Sequence, residues 1–127
     1  MPNTDRLLVV EDDPDILSIV LRHLRANDFV PNGFANPFDA LQEFQSDPTR
    51  YWLVLTDIRM PGMNGIALAR EVLKINPQTK IVLMTAHEYF EEQIRTDLPV
   101  INRDDIIKKP FKLTEICNRV KLHARAR

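Results

Sequence analysis

Leu53–Gly65 reads LVLTDIRMPGMNG. With Tyr51 and Trp52 before it, an apolar run stops on one acid, Asp57, and a turn of Met, Pro, Gly and Asn follows. A short apolar run bounded by turn residues is consistent with a strand buried on both faces. A carboxylate at the tip of such a strand loses part of its hydration, which costs free energy. Two readings compete at Asp57: an acid that caps a turn, and an acid held where a ligand or reagent can reach it.

Working outward, the strand-then-helix unit repeats. Arg6–Val10 contains the run LLVV, and Asp13-Pro14 has the form of an N-cap with proline at the first helical position. Leu17, Val20, Leu21 and Leu24 follow at helical spacing. Phe29–Phe34 is a weaker second strand. Asn36-Pro37 repeats the cap-plus-proline start, Phe38, Leu41, Phe44 and Gln45 mark a short helix, and Asp47-Pro48 ends it. Tyr51–Thr56 is the third strand, and Asn64 caps a helix over Gly65–Asn76 with Pro77 beyond its end. Lys80–Met84 is the fourth strand. A fourth helix is expected from about Glu88 to Arg95, and TDLPVINR reads as loop. Asp105–Lys108 is a short fifth strand. Leu113, Ile116, Cys117, Val120 and Ala124 form the stripe of a final helix. Alternating strands and helices argue for a parallel sheet covered by helices on both faces. Crossovers are right-handed, and ligands bind beyond the carboxyl ends of the strands.

Composition narrows the classes. A chain of 127 residues, 44% apolar, is one domain with one good core. A net charge of −1 gives no bulk attraction to nucleic acid or membrane. Cys117 is the single cysteine, so an internal disulfide is excluded. No signal peptide is visible, and no apolar run approaches the ~20 residues of a membrane helix. A cytoplasmic protein is expected. From Lys108 onward the bases Lys108, Lys109, Lys112, Arg119, Lys121, Arg125 and Arg127 face Glu115 alone; a solvated helix face accounts for this, and a partner-binding face is the rival.

The strand ends carry the chemistry. Strand one ends in Glu11, Asp12 and Asp13, strand three in Asp57, strand four in Thr85, and strand five in Lys108, Lys109 and Pro110. Two carboxylates ~4 Å apart repel by about 4 kcal/mol at an effective dielectric near 20. Crowded acids raise one another's pKa unless a cation intervenes. Mg2+ suits them, because it takes oxygen ligands and commonly binds one or two carboxylates plus phosphate oxygens. A lysine adds a point charge, a threonine hydroxyl can donate to a phosphoryl oxygen, and a carboxylate can attack phosphorus to give an acyl phosphate. These parts suit phosphoryl transfer.

The motifs LVVEDD, LTDIRMPGMNG, LMTAH and KKPF stand in an order and spacing that resembles the receiver domain of two-component response regulators, over essentially the whole chain. The resemblance implies a flavodoxin-like (βα)5 doubly wound α/β sandwich, a five-stranded parallel sheet of order 2-1-3-4-5, with residues 1–127 as one receiver domain and no output domain. It implies Asp57 as phosphoacceptor. It implies a Mg2+ site of Asp12, Asp57, the backbone carbonyl of Arg59 and, more often through water, Glu11. Thr85 matches the hydroxyl that turns toward the phosphoryl group, and Lys109 the lysine that pairs with it, on a cis peptide to Pro110. Implied partners are a sensor histidine kinase or phosphotransfer protein and a downstream protein or covalently linked output domain, with scope for a phosphorylation-dependent homodimer. Neither nucleic acid nor membrane is a direct partner. Such a domain is a signalling switch rather than an enzyme, catalysing only its own phosphorylation and dephosphorylation.

Ile106 departs from the family pattern, which often has a switching aromatic there. The region before it, LPVINRDDII, lacks the family's usual Gly-Ala pair, so the fourth helix is expected to be unusual. The Arg59 side chain, two positions beyond the acceptor, is a candidate modulator of hydrolysis, and His87, two positions after Thr85, reads either as a surface residue or as a modulator of water access. His23 and His123 are expected at the surface, Cys117 in the core, and Trp52 in the core or at its rim. Two other functions compete. A phosphate-independent pseudo-receiver would act as a docking module. An aspartyl-phosphate phosphohydrolase usually has a second acid two residues after its nucleophile, where Arg59 stands here.

Overall fold

The computed structural model describes residues 5–86 and 90–125. In chain order the elements are β1 (Arg6–Val10), α1 (Pro14–Ala26), β2 (Val30–Phe34), α2 (Pro37–Ser46), β3 (Tyr51–Asp57), α3 (Gly65–Ile75), β4 (Lys80–Thr85), α4 (Phe90–Asp97), β5 (Ile106–Lys108) and α5 (Leu113–Arg125), with a 3-10 turn over Arg103–Asp105. The strands pair in parallel in the order β2-β1-β3-β4-β5. This is the flavodoxin-like doubly wound fold.

The alternation of side chains along each strand divides the interior. Leu7 and Val9 of β1 join Leu53, Leu55, Val82 and Met84 under α1 and α5, where Val20, Leu24, Ile116 and Val120 pack. Leu8 and Val10 face the other way and join Val54, Ile81 and Leu83 against Phe44, Ile66, Val72 and Ile94. Both faces are covered, so all of β3 from Tyr51 to Asp57 is buried, as its uninterrupted apolar run implies. Trp52 and Cys117 are buried, as expected. Pro31 sits in β2, an edge strand, where a missing N–H is tolerated.

The helix starts follow local chemistry. Asp13 Oδ1 accepts from the N–H groups of Asp15 and Ile16, Asn36 Oδ1 from Phe38 and Asp39, and Asn64 Oδ1 from Ala67. Pro14 and Pro37 open their helices at positions whose N–H needs no partner.

Several boundaries differ from the sequence reading: β2 begins at Val30, α3 ends at Ile75 and β4 runs on through Thr85. The fourth helix continues through Thr96 and Asp97. Ile94 and Leu98 are four residues apart and both buried, and the Leu98 N–H reaches the Ile94 carbonyl at 2.7 Å, so packing carries the turn on until Pro99. Its expected start, Glu88, lies outside the described residues, as does His87. Asp105 is not the first residue of β5: it closes the 3-10 turn that Asn102 caps. β3 also runs one residue further than expected and takes in Asp57, so the acid is held by sheet hydrogen bonding and not by a flexible loop. Among the described residues, no helix is long and apolar enough to cross a membrane.

Candidate functional site

The carboxyl ends of β1, β3 and β5 bring Glu11, Asp12, Asp57 and Lys109 together. One carboxylate oxygen each from Glu11, Asp12 and Asp57 lies within 4.8 Å of the other two. Asp12 is exposed, whereas Glu11 and Asp57 are 1% and 6% exposed. Lys109 Nζ donates to Asp57 Oδ2 at 3.0 Å and to Glu11 Oε1 at 3.1 Å, bridging the two buried acids. The peptide joining Lys109 to Pro110 is cis. The Lys109 N–H donates to the Thr85 carbonyl at 2.7 Å, which ties the base of the lysine to the end of β4.

Thr85 is buried at the end of β4, one residue beyond Met84, the register partner of Asp57. Arg59 is exposed two positions after Asp57. Thr85 and Arg59 are thus carried to the same edge as the acids by sheet register and by chain connection. Lys108 is exposed and stands on the other side of the strand from the buried Ile107.

The charges do not balance. Three acids face one lysine. Burial, reinforced by the neighbouring Asp57, pushes the Glu11 carboxyl from 4.5 up to about 8, with Lys109 pulling the other way. Burial also acts to lower Lys109, but contact with Asp57 and Glu11 outweighs it and its pKa is raised. Glu11 Oε2 is buried with no hydrogen-bond partner among the described residues. An all-oxygen donor set, an excess of negative charge and an orphaned carboxylate oxygen are what a hard divalent cation would satisfy, and Mg2+ fits that chemistry.

One residue of the site was missed in the sequence, where it reads only as the first residue of a capped helix. At Gly65, a Cβ would stand 2.1 Å from the backbone oxygen of Asp57 and 3.1 Å from the Cα of Ile58. The Gly65 N–H donates to the Ile58 carbonyl at 2.8 Å. The first turn of α3 therefore packs directly on the backbone that carries Asp57, and only glycine permits that approach. Gly62 in the same loop has φ +87, the left-handed region, and its α-carbon faces the ring of Phe38. The Met-Pro-Gly-Met-Asn-Gly signal locates this turn, but the pattern does not reveal which backbone atoms it approaches.

An acidic pocket with a bridging lysine, at the carboxyl edge of a 2-1-3-4-5 parallel sheet, defines a flavodoxin-like α/β domain with its ligand chemistry at the strand ends. Comparison with known proteins makes the class specific: residues 7–121 match the family model of the response regulator receiver domain, and the chain belongs to that family. It is 34% identical over 116 residues to the response regulator receiver protein CpdR of Brucella abortus (strain 2308), covering 91% of this chain and 92% of that protein. It is also 34% identical over 119 residues to the transcriptional regulatory protein BaeR of Escherichia coli O6:H1, covering 94% of this chain and 48% of BaeR. The chain thus spans about half the length of that relative. Among solved structures, the response regulator TrrA of Thermotoga maritima in complex with Mg(2+)-BeF superposes with a TM-score of 0.80 at 30% identity, covering 93% of this chain and 97% of that one. A CheY-like receiver domain protein of Methanospirillum hungatei JF-1 superposes at 0.81 with 23% identity, covering 94% and 93%, and shares the fold. The protein is a receiver domain of the two-component response regulator type, a signalling domain.

Proposed function

We propose that this chain is a phosphorylation-dependent switch in which Asp57 accepts a phosphoryl group from a histidine kinase or a phosphotransfer protein. The observation that carries the reading is the bridge of Lys109 to both Asp57 and Glu11 inside an acid cluster. An Asp57 carboxylate oxygen attacks phosphorus, the P–N bond of the donor phosphohistidine breaks, and its electron pair returns to the imidazole, which takes up a proton. Asp12, Asp57 and the Arg59 carbonyl would hold Mg2+, with Glu11 behind them; when bound, the ion offsets charge on the transferring group. Lys109 supplies the fixed cation opposite.

Phosphorylation adds negative charge and acceptor oxygens at one point of the sheet edge. Thr85 and Lys109 then have a new acceptor, and the balance between existing conformations shifts. The shift is read on the face of α4, β5 and α5, by a downstream protein, a linked output domain or a second copy of the chain. Beside Lys109, an apolar groove of about 530 Å³ lined by Ile16, Ile19, Pro110, Phe111 and Leu113 supports a protein as the donor. A cytoplasmic location agrees with that donor.

The test is intact mass after incubation with a small acyl phosphate and Mg2+. Wild type is expected to gain one phosphoryl group, and Asp57→Ala none. An unmodified wild type, or equal gain in both, overturns the reading.

One observation favours a second reading. Ile106 is half-buried against the core beneath α4, where many receivers carry an aromatic that turns inward. A β-branched side chain is stiff at its first torsion. A phosphate-independent docking module would keep its partner affinity in Asp57→Ala, whereas the switch would lose its phosphate-dependent increment.

A further inference from the structure

At the amino end of the sheet, away from the acid cluster, a cavity of about 300 Å³ opens between the turn before β4, the 3-10 turn before β5 and α5. Along β4 it lies roughly 17 Å from Thr85, at ~3.3 Å per residue. Its volume falls at the small end of ligand pockets.

Among the described residues that line it, Asp105 is the only acid. Asp105 is 5% exposed, and its Oδ1 accepts from Arg119 Nε and from His123 Nε2, the latter at 2.7 Å. That carboxylate is committed to α5. Arg119 keeps its terminal guanidinium nitrogens as donors, since only Nε is used in that contact. Lys80 adds an exposed ammonium at the rim. Asn102 uses its oxygen to cap the 3-10 turn, which leaves its amide nitrogen as a donor. Thr79, also in the lining, is 5% exposed, and its hydroxyl is buried with no hydrogen-bond partner among the described residues. A buried hydroxyl without a partner is costly, so an occupant that engages it gains free energy.

From the donors and the surplus positive charge we infer that this cavity is a binding site for a small oxyanion, of the phosphate or carboxylate kind. The ligand bridges the turn at Thr79 and Lys80 to Arg119, and so couples the amino end of β4 to α5. The site is independent of the phosphorylation chemistry proposed for Asp57, and its test needs no Mg2+.

The experiment is a titration of the 15N-labelled full chain, with divalent metal chelated and ionic strength held constant with chloride. Inorganic phosphate is the probe in one arm and malonate in the other. Saturable shifts are expected at the amides of Thr79, Lys80, Asn102 and Asp105. Apparent affinity should weaken tenfold or more in Lys80→Ala and threefold or more in Thr79→Val. Replacing an unpartnered hydroxyl by a methyl of the same shape leaves the fold intact, and Lys80 is on the surface. Tighter binding in the phosphate arm assigns a tetrahedral ligand, and tighter binding in the malonate arm a planar one. Non-saturable shifts in both arms, shifts confined to the edge around Asp12 and Asp57, or undiminished affinity in either variant overturns the proposal.

Discussion

Asp57, at the carboxyl end of β3, and Asp105, in the 3-10 turn at the amino end of β5, are both buried carboxylates at opposite ends of one sheet, and their surroundings differ in sign. Asp57 shares one lysine with Glu11 and stands close to Asp12. Asp105 has Arg119 and His123 to itself. The carboxyl end is left with negative charge in excess and a Glu11 proton held to about pH 8, while the amino end is internally neutralised and has cations to spare. A buried acid with surplus partners holds elements together. A buried acid short of partners is held ready for something that arrives from outside, and it weakens the resting fold until that happens.

The largest expected consequence is in the pH dependence of stability. The Glu11 carboxyl has a pKa of about 8 in the folded chain, against an ordinary 4.5. Between these values the folded state keeps a proton that the unfolded state has released. Stability of the metal-free protein must therefore fall as pH rises from about 4.5 to about 8. The swing is on the order of a few kcal/mol, at ~1.4 kcal/mol per pKa unit. Stabilisation by Mg2+ should grow across the same window, because the ion takes the place of the proton. Denaturant midpoints measured along the pH range check this, and a slope that persists unchanged in Glu11→Gln would remove Glu11 as its source.

Next in size is Gly65→Ala. Its Cβ meets the Asp57 carbonyl, and neither side can yield without moving the strand end. A loss of about 3 kcal/mol is expected from forced overpacking, together with at least tenfold slower phosphorylation by a small acyl phosphate. Normal stability with a normal rate would mean that α3 does not set the position of Asp57.

The two acids can then be set against each other with one substitution. Asp105→Asn strips Arg119 and His123 of their shared acceptor charge and is expected to cost about 2 kcal/mol, the range for hydrogen bonds to charged groups. Asp57→Asn, in metal-free protein above about pH 8, where Glu11 is ionised beside Asp57, leaves Glu11 and Lys109 as a balanced pair and is expected to stabilise by about 1 kcal/mol. Opposite signs in equilibrium unfolding support the contrast, and equal signs would break it.

How legible this was in the sequence depended on whether the signal was local. Asp13-Pro14, Asn36-Pro37 and Asn64 gave the helix starts, because a cap and its N–H partners lie within three residues. The buried strands were readable as apolar runs. The end of α4 was not, since the pairing of Ile94 with Leu98 depends on a core supplied by β4 and α3. His123 was expected at the surface and is instead half-buried against Asp105, eighteen residues earlier. No periodicity reports a polar pair across that separation.

The sequence by itself determined the alternation of elements, the edge on which Glu11, Asp12, Asp57, Thr85 and Lys109 collect, and through its motifs the receiver family. Those follow from side-chain period and turn chemistry, which act over a few residues. Only the tertiary structure decided that Lys109 bridges Glu11 and Asp57, that Gly65 lies on the Asp57 backbone, and that Asp105 pairs with α5 around a cavity. Each of these brings together groups far apart in the chain, and their energies depend on burial and distance, which exist only once the chain has folded.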